Sequence, residues 1–437
     1  MKRILSFATY LIAAIGCLVP PLLHCQKTGT GIDAPDSIAL TLDSAQTRFV
    51  RNNAQLLASR LNIEGSRATI EQARLWSNPN LSVGQNIYNQ ETGKWFDVTH
   101  TGNTDVQIQQ LFLLAGKRGK QVRLAEVNSA IAERTFDNLL RDLSFELRSD
   151  FFDLYFSRRS LTFYEDAIPQ LQVTVARTEE NYSKRSTLLS EVLRLKSLLL
   201  QLETDRAGIV QHIAELQSDL GILLRDSSGA NAYYLPVVDS AALNSVTPDS
   251  LPLDTISNAS LEHRPDYRIA DANVESEEAN LDLQKSLAIP DVTVGGAWSR
   301  AGGYIPNYFA LTFSVDLPVF NRNQGNITQS EYTLESNKLL RDQVRMSIER
   351  EVRLAYDEAR NNDKLFKSFD ATVDAQYRVL LRGMIESYEK RNIGIVEFAD
   401  FFDSYRSSVL QLNNLQSNRA VSFEKLNHAA GYLVIHP

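Results

Sequence analysis

The sequence predicts a mainly α-helical protein with a membrane β-barrel portion, in which long coiled-coil-like helices carry four transmembrane strands per chain. Three observations favour this fold class: an internal duplication, helical segments too long for a compact core, and strands that alternate apolar with polar residues. Of the 437 residues, 22% are charged and 43% hydrophobic, which is typical of a folded protein. The net charge of -8 disfavours a nucleic-acid-binding function.

The duplication is the strongest signal. Residues 78–84, Asn-Pro-Asn-Leu-Ser-Val-Gly, recur at 289–295 as Ile-Pro-Asp-Val-Thr-Val-Gly, and residues 181–185 recur at 387–391. Each half has the order helix, strand, strand, helix, helix. We therefore divide the chain into a first repeat (38–223), a connector (224–260) and a second repeat (261–433). The connector is rich in Ser, Asp, Asn and Pro, lacks a helical period and holds one short predicted strand at Tyr233–Val237.

The clearest strand is predicted at Tyr308–Leu317, where apolar and polar residues alternate strictly over about ten positions, the length of a strand that crosses a bilayer. Two further strands follow the same pattern near residues 81–87 and 291–298. The fourth, Thr104–Leu113, is the weakest, because its phase is one residue out of step with the clearest strand, a difference that a bulge could absorb. A soluble sandwich would show the same alternation. The residues predicted to face lipid are Phe309, Leu311, Phe313, Val315 and Leu317.

A long helix is predicted from Lys117 to about Leu161, with a narrow apolar seam of coiled-coil type. At about 1.5 Å per residue such a helix is about 65 Å long, and it packs along neighbouring helices instead of around a compact core. Turns between paired helices are predicted near residues 166–169 and 368–371. Four strands cannot close a barrel, and open strand edges are costly in lipid, so several chains must share one barrel.

The N-terminal stretch, residues 1–25, is typical of a secretory signal peptide. Lys2 and Arg3 precede an apolar run from Ile4 to Ile15. The two cysteines of the chain, Cys17 and Cys25, both lie in this stretch, and acylation of either one remains an alternative although neither follows a good lipobox. No disulfide or thiolate metal site is therefore expected in the rest of the chain.

Several of these segments resemble the TolC-type outer-membrane efflux protein family: residues 73–81 before the first strand, 263–266 (His-Arg-Pro-Asp), 317–325 after the strand predicted at Tyr308–Leu317, and the terminal helix from Tyr388 to Gly431. The resemblance covers roughly residues 38–433. It implies an outer-membrane channel that extends into the periplasm, a homotrimer with a twelve-stranded barrel, and docking to a periplasmic adaptor protein and an inner-membrane pump. Residues 113–120 resemble the heavy-metal branch of the family, named for cobalt, zinc and cadmium or for copper and silver.

The resemblance also suggests functional residues. Aspartates at the predicted helix turns would form a pore constriction that favours cations, and two Tyr/Arg clusters would help to hold the periplasmic end closed. Ordinary helix packing and exposed turn residues are the competing interpretation. The constriction candidates are Asp370 and Asp166; the gate candidates are Tyr182, Arg185, Tyr388 and Arg391.

Other functions have less support. We expect no catalytic, cofactor-binding or metal-binding residues, because the histidines are scattered and no acid/base or nucleophile pattern stands out. The segment Gly116–Lys120 lacks phosphate-loop spacing and is better explained as a basic turn between strand and helix. A periplasmic coiled-coil adaptor or scaffold without a pore is an alternative, as is a type I secretion exit duct with the same fold.

Overall fold

The computed structural model describes residues 37–225, 233–239, 243, 247–248, 252–369, 380 and 383–435. The predicted signal peptide and Asp370 lie outside these residues. The strands are β1 (Ser37–Thr41), β2 (Asn80–Gln85), β3 (Tyr88–Asn89), β4 (Lys94–Trp95), β5 (Asn103–Phe112), β6 (Tyr233–Val237), β7 (Val292–Ala301) and β8 (Ile305–Val315). The helices are α1 (Leu42–Asn52), α2 (Ala54–Arg74), α3 (Lys117–Ser183), α4 (Leu189–Leu224), α5 (Leu253–His263), α6 (Pro265–Leu287), α7 (Gln324–Ser368) and α8 (Ile395–Ala430). Residues 383–389 form a further helical stretch before α8.

The four long strands form one antiparallel sheet in the order β2-β5-β7-β8. The first repeat contributes β2 and β5, and the second contributes β7 and β8. The central pairing of β5 with β7 joins the two halves over ten residue pairs, from Asn103↔Ala301 to Phe112↔Val292. The strands β2 and β8 therefore form the two edges of the sheet.

The helices continue from one end of this sheet. The helix α3 packs against α2 and α6 near the sheet, and against α4 and α8 farther away. At 67 residues α3 is about 100 Å long, since an α-helix rises about 1.5 Å per residue. The predicted turn at residues 166–169 was wrong, because Pro169 lies inside α3. Ala167, Ile168 and Leu171 are buried in one apolar cluster, and this packing outweighs the cost of about 3 kcal/mol that proline imposes on a helix interior.

A compact core forms midway along the helices. The strand β1 pairs in parallel with β6, from Ser37↔Tyr233 to Thr41↔Val237, and this small sheet packs with α1, α3 and α4. The short strand expected at Tyr233–Val237 is thus confirmed. The expectation that the connector lacks helix was wrong at its end, where α5 begins at Leu253. The side chain of Ile256 in α5 is fully buried against α7 and α8. Tertiary packing therefore stabilises this helix, although the local sequence shows no helical periodicity.

A buried ion pair ties this central region together. Arg419 of α8 donates from Nε to Oδ1 of Asp363 on α7 over 2.8 Å, and both side chains are almost fully buried. The guanidinium also donates to the carbonyl of Leu243 and lies between the rings of Phe366 and Phe423, 4.7 Å from each centroid. These contacts satisfy a charge that would otherwise be costly to bury.

A second charged group lies between α3 and α4. Burial, together with the nearby carboxylates of Glu146, Asp219 and Asp153, raises the pKa of Asp150 to about 7. Each of these effects disfavours the ionised carboxylate. The protonation of Asp150 therefore changes near neutral pH.

Candidate functional site: a two-faced sheet and two helical tips

The four-stranded sheet has one apolar and one polar face. Residues paired across antiparallel strands point to the same side. The register places Val83, Val106, Trp298 and Phe309 in one row, and Leu81, Ile108, Gly296 and Leu311 in another row of the same face. Most of these side chains are exposed, with Phe309 at 76% and Leu311 at 69% of full exposure, whereas Val106 and Trp298 are partly buried. An apolar face left uncovered in one chain must be covered by something else.

The predicted lipid-facing residues share this face within β8. Phe309, Leu311, Phe313 and Val315 lie at alternate positions of the strand. Leu317 lies two residues beyond its end and is also exposed.

The opposite face is polar. The cross-strand rows on this side contain Ser82, Gln107, Ala297 and Ala310, and next to them Asn80, Gln109, Gly295 and Thr312. Gly295 is required by close packing, because a Cβ atom there would lie 2.7 Å from the carbonyl oxygen of Ile108 and 2.8 Å from Thr312 Oγ1.

The bulge expected in the fourth predicted strand was wrong. The pairings of β5 with β2 and with β7 run without a register shift, whereas the irregularity lies in the β7–β8 pair between Ser299 and Ala301. Val106 and Ile108 share the apolar face with Phe309, because the pairing register, not the repeat spacing, decides the face of a strand.

A hydrogen-bonded loop closes the end of the sheet that lies away from the helices. The carboxylate of Asp97 accepts hydrogen bonds from the Thr99 amide (3.0 Å), Thr101 Oγ1 (2.8 Å) and Asn89 Nδ2 (3.0 Å). The hydroxyl groups of Thr99 and Thr101 hold the pKa of Asp97 far below its usual range. This loop between β2 and β5 is therefore ordered by its own contacts.

The other end of the sheet is fastened to the helices by a buried lysine. Lys117, the first residue of α3, donates from Nζ to the Ile289 carbonyl (2.6 Å) and to Asp291 Oδ1 (2.7 Å). The same carboxylate oxygen accepts the Leu114 amide over 2.9 Å. The basic turn from Gly116 to Lys120 thus joins strand β5 to helix α3, as expected from the sequence, and clamps it to the start of β7.

The ends of the helices farthest from the sheet form two similar tips. The first lies between α3 and α4, at residues 184–188, and the second lies before α8, at residues 390–394. Arg185 and Arg391 both have left-handed backbone angles, φ 56° and φ 62°. Their amides both donate over 2.9 Å, to the carbonyls of Tyr182 and Tyr388 respectively. This geometry is typical of helix C-termini, and its recurrence in the second repeat matches the internal duplication.

The two tips enclose a polar cleft of about 490 Å³. Arg185, Tyr388 and Arg391 line it, whereas Tyr182 does not. The Tyr388 ring stacks on Phe398 with centroids 5.0 Å apart, and burial raises the pKa of its phenol. Tyr182 lies in the last turn of α3, just before the first tip.

Several charged residues of the tips were not among the gate candidates. Arg177 of α3 forms an ion pair with Glu389 across the cleft. Glu191 lines the same cleft and accepts a hydrogen bond from Thr187 Oγ1 over 2.5 Å. They occur among many similar residues, and only the tertiary pairing of the two tips sets them apart.

The two constriction candidates have different outcomes. Asp166 is exposed in the interior of α3, not at a turn. At about 1.5 Å per residue it lies about 26 Å before the end of that helix. The end of α7 at Ser368 agrees with the second predicted turn, but Asp370 itself is outside the described residues. The turn that leads into the last helix lies farther on, at residues 390–394.

The structure adds two general observations. Among the residues that it describes, no helix combines the length and apolar character needed to cross a membrane. No group of three or more His, Cys, Asp or Glu side chains suited to a metal ion occurs within the described ranges.

Known proteins are similar to the chain in sequence and in fold. Residues 256–432 match the sequence model of the outer membrane efflux protein family. The nickel-cobalt-cadmium resistance protein NccC of Alcaligenes xylosoxydans xylosoxydans is 24% identical over 71% of this chain and 68% of its own length. The cobalt-zinc-cadmium resistance protein CzcC of Cupriavidus metallidurans is 23% identical over 66% of this chain and 65% of its own length.

The fold is shared with solved structures. A crystal structure of CusC, described in terms of transmembrane channel formation, superposes with a TM-score of 0.71 at 17% identity and covers 90% of this chain and 92% of its own. The open state of the MtrE outer membrane channel of Neisseria gonorrhoeae gives 0.68 at 16% identity, over 90% and 89% of the two chains. The second half of the chain thus matches the outer membrane efflux protein family, and the fold of the chain is that of solved outer membrane channels.

Proposed function

We propose that three copies of this chain form one twelve-stranded barrel, and that the two-faced sheet is the observation that carries this proposal. Each copy supplies four strands with free edges at β2 and β8. In lipid an unpaired edge leaves backbone groups without hydrogen bonds, so each β8 would pair with the β2 of the next chain. The apolar face, including Phe309, Leu311 and Phe313, would then contact lipid, and the polar face would line a water-filled lumen.

The helices extend the barrel as a tube into the periplasm. Exposed apolar residues remain on α2 and α7, such as Leu61 and Leu339 at 72% and 71% exposure. These two helices stand beneath the two edge strands, so they would meet in the trimer and cover these residues. The first repeat (38–223), the connector (224–260) and the second repeat (261–433) would thus alternate around the tube, with the connector forming an equatorial belt.

The helical tips are the proposed docking and gating end. The cleft between them lies at the end of the chain farthest from the membrane sheet and is lined by arginine and glutamate side chains. A periplasmic adaptor that connects the channel to an inner-membrane pump would dock here. Tyr182, Arg185, Tyr388 and Arg391 would hold the closed tips together, and Asp370 would contribute to the constriction.

Heavy-metal cations are the proposed cargo. The relatives NccC and CzcC are named for resistance to nickel, cobalt, cadmium and zinc. The channel would conduct these cations passively, as the exit duct of a pump.

Three measurements test this function. Purified protein should migrate as a trimer-sized, heat-modifiable species in detergent, and a stable monomer would refute the shared barrel. In planar bilayers the same protein should conduct ions, and a preparation that never conducts would refute the channel. A deletion strain should lose resistance to cobalt, zinc or cadmium but keep its drug resistance; the reverse pattern would refute the cargo.

A further inference from the structure

The polar face of the sheet carries a single charged side chain. Within the four strands only Asp105 of β5 and Arg300 of β7 are charged. The register separates them. Asp105 is paired with Gly84 and Ser299 on the polar face, whereas Arg300 is paired with Thr104 and lies over the Trp298 ring on the apolar face, 5.4 Å from its centroid. The polar face is therefore purely acidic.

The surroundings of Asp105 leave its carboxylate open to the polar side. The side chain is exposed. Its neighbour on β2 is Gly84, where an added Cβ atom would come within 3.7 Å of Asp105 Oδ2. On the other side lies the small, uncharged Ser299. Neither neighbour covers or neutralises the charge.

Asp105 lies close to the outer end of the sheet. It is the third residue of β5, beside the loop that Asp97 orders. Phe112, at the helical end, lies seven positions farther along β5, which is about 24 Å along a strand. Any ion that leaves the channel would pass this level last.

We propose that Asp105 from three chains forms an anionic ring that makes the outer mouth of the channel selective for cations, with multivalent cations favoured most. This inference rests on the trimeric barrel proposed above. Twelve strands about 4.8 Å apart and tilted by about 40° give a barrel radius of about 12 Å, so inward-pointing carboxylates lie about 8 Å from the axis. That distance is shorter than the Debye length of about 10 Å in 0.1 M salt.

Coulomb attraction by three such charges in water, screened over this distance, concentrates a monovalent cation about threefold on the axis. The same potential concentrates a divalent cation about tenfold and a trivalent cation about thirtyfold, because the energy scales with ionic charge. An outer mouth that concentrates multivalent cations is consistent with the proposed cargo of heavy-metal cations.

The test uses block of single-channel current by hexaamminecobalt(III), a trivalent cation, in bilayers at 0.1 M KCl. Added on the side of the β2–β5 loop, it should block the unmodified channel, and Asp105→Asn should raise the half-blocking concentration at least tenfold. Addition on the helical side is the internal control, and that block should not change. In 1 M KCl the difference between the two channels should largely disappear, because screening is stronger.

Two further variants separate charge from folding. The double variant Asp105→Asn, Gln107→Asp moves the carboxylate two residues along β5, to the next position on the same face. This variant should restore the block. Asp105→Cys can be modified after assembly, since the only cysteines of the chain are Cys17 and Cys25. A sulfonatoethyl thiosulfonate reagent should restore the block, and a trimethylammonioethyl reagent should abolish it.

The outcomes are distinct. If the unmodified channel conducts but all Asp105 variants show the same loop-side block, the anionic ring is refuted and the channel function stands. If the unmodified protein never conducts, the channel and the ring are both refuted.

Discussion

The ion pair between Arg419 and Asp363 offers a quantitative test of the central region. Asp363→Asn keeps the shape of the side chain but leaves a buried guanidinium without its carboxylate. Removing one partner of a buried ion pair costs about 3–5 kcal/mol. Arg419 would keep the Leu243 carbonyl, 3.0 Å away, and the two phenylalanine rings beside it. With these weaker contacts retained, we expect a loss of about 4 kcal/mol, in the middle of that range.

The reverse change should cost less. In Arg419→Met the carboxylate of Asp363 keeps two other donors, Lys367 Nζ at 2.7 Å and Thr247 Oγ1 at 3.1 Å. Lys367 is half-exposed, so it can follow the charge without strain. Methionine also fills much of the space between the two rings. We therefore expect a loss of about 2 kcal/mol, the usual cost of removing one hydrogen-bond partner from a buried polar group.

Thermal unfolding in detergent, followed by far-UV circular dichroism at one scan rate, measures both variants. For a folded region of about 400 residues the unfolding entropy is about 0.8 kcal/mol per kelvin. The midpoint should fall by about 5 °C for Asp363→Asn and by about 2–3 °C for Arg419→Met. Lys367→Met is the control and should change it by less than about 1 °C. If Asp363→Asn is as stable as the unmodified protein, or Arg419→Met is the less stable variant, the proposed asymmetry is wrong.

Three further predictions concern the sheet and the helices. Gly295→Val should abolish the heat-modifiable trimer, because its side chain would collide with the Ile108 carbonyl; a normal trimer on gels would contradict this. Leu311→Arg should cost about 2–4 kcal/mol per chain in lipid and prevent assembly, whereas Thr312→Arg on the polar face should assemble; equal yields of both trimers would argue against the assignment of the faces. Because the folded-state pKa of Asp150 is raised to about 7, the folded state holds a proton that the unfolded state releases above pH 4. Stability should therefore fall as pH rises from about 4 to about 7. The full shift corresponds to about 4 kcal/mol, and solvent screening reduces it to about 1–2 kcal/mol. Asp150→Asn should remove this part of the pH dependence, and melting curves at pH 5 and pH 8 with an unchanged difference would contradict the prediction.

The sequence was most informative where structure follows a local pattern. Strict alternation from Phe309 to Val315 predicts β8 correctly, and the start of α3 at Lys117 follows from the loss of alternation. The phase of β5 could not be obtained in this way. The apolar face of β5 is set by its pairing with β7, which belongs to the other repeat. A comparison of the two repeats by sequence spacing therefore placed the apolar residues of β5 one position out of phase.

The helical tips show the limit of local rules most clearly. Pro169 is a strong helix breaker, and a turn beside it is the natural expectation. Buried neighbours such as Ile168 and Leu171 keep α3 continuous as far as Ser183, so the tip forms at Lys184 instead. The cleft residues Arg177 and Glu389 then meet across two hairpins that are remote in sequence, and no spacing rule links them.

The parallel pairing of β1 with β6 has a consequence for the synthesis of the protein. The first described strand, at Ser37–Thr41, has its partner at Tyr233–Val237, beyond the midpoint of the chain. During synthesis from the N-terminus, β1 must therefore wait until more than half of the chain has been made. Closing such a long loop carries an entropic cost that no local contact offsets beforehand. The central core can therefore be completed only after the connector has been synthesised.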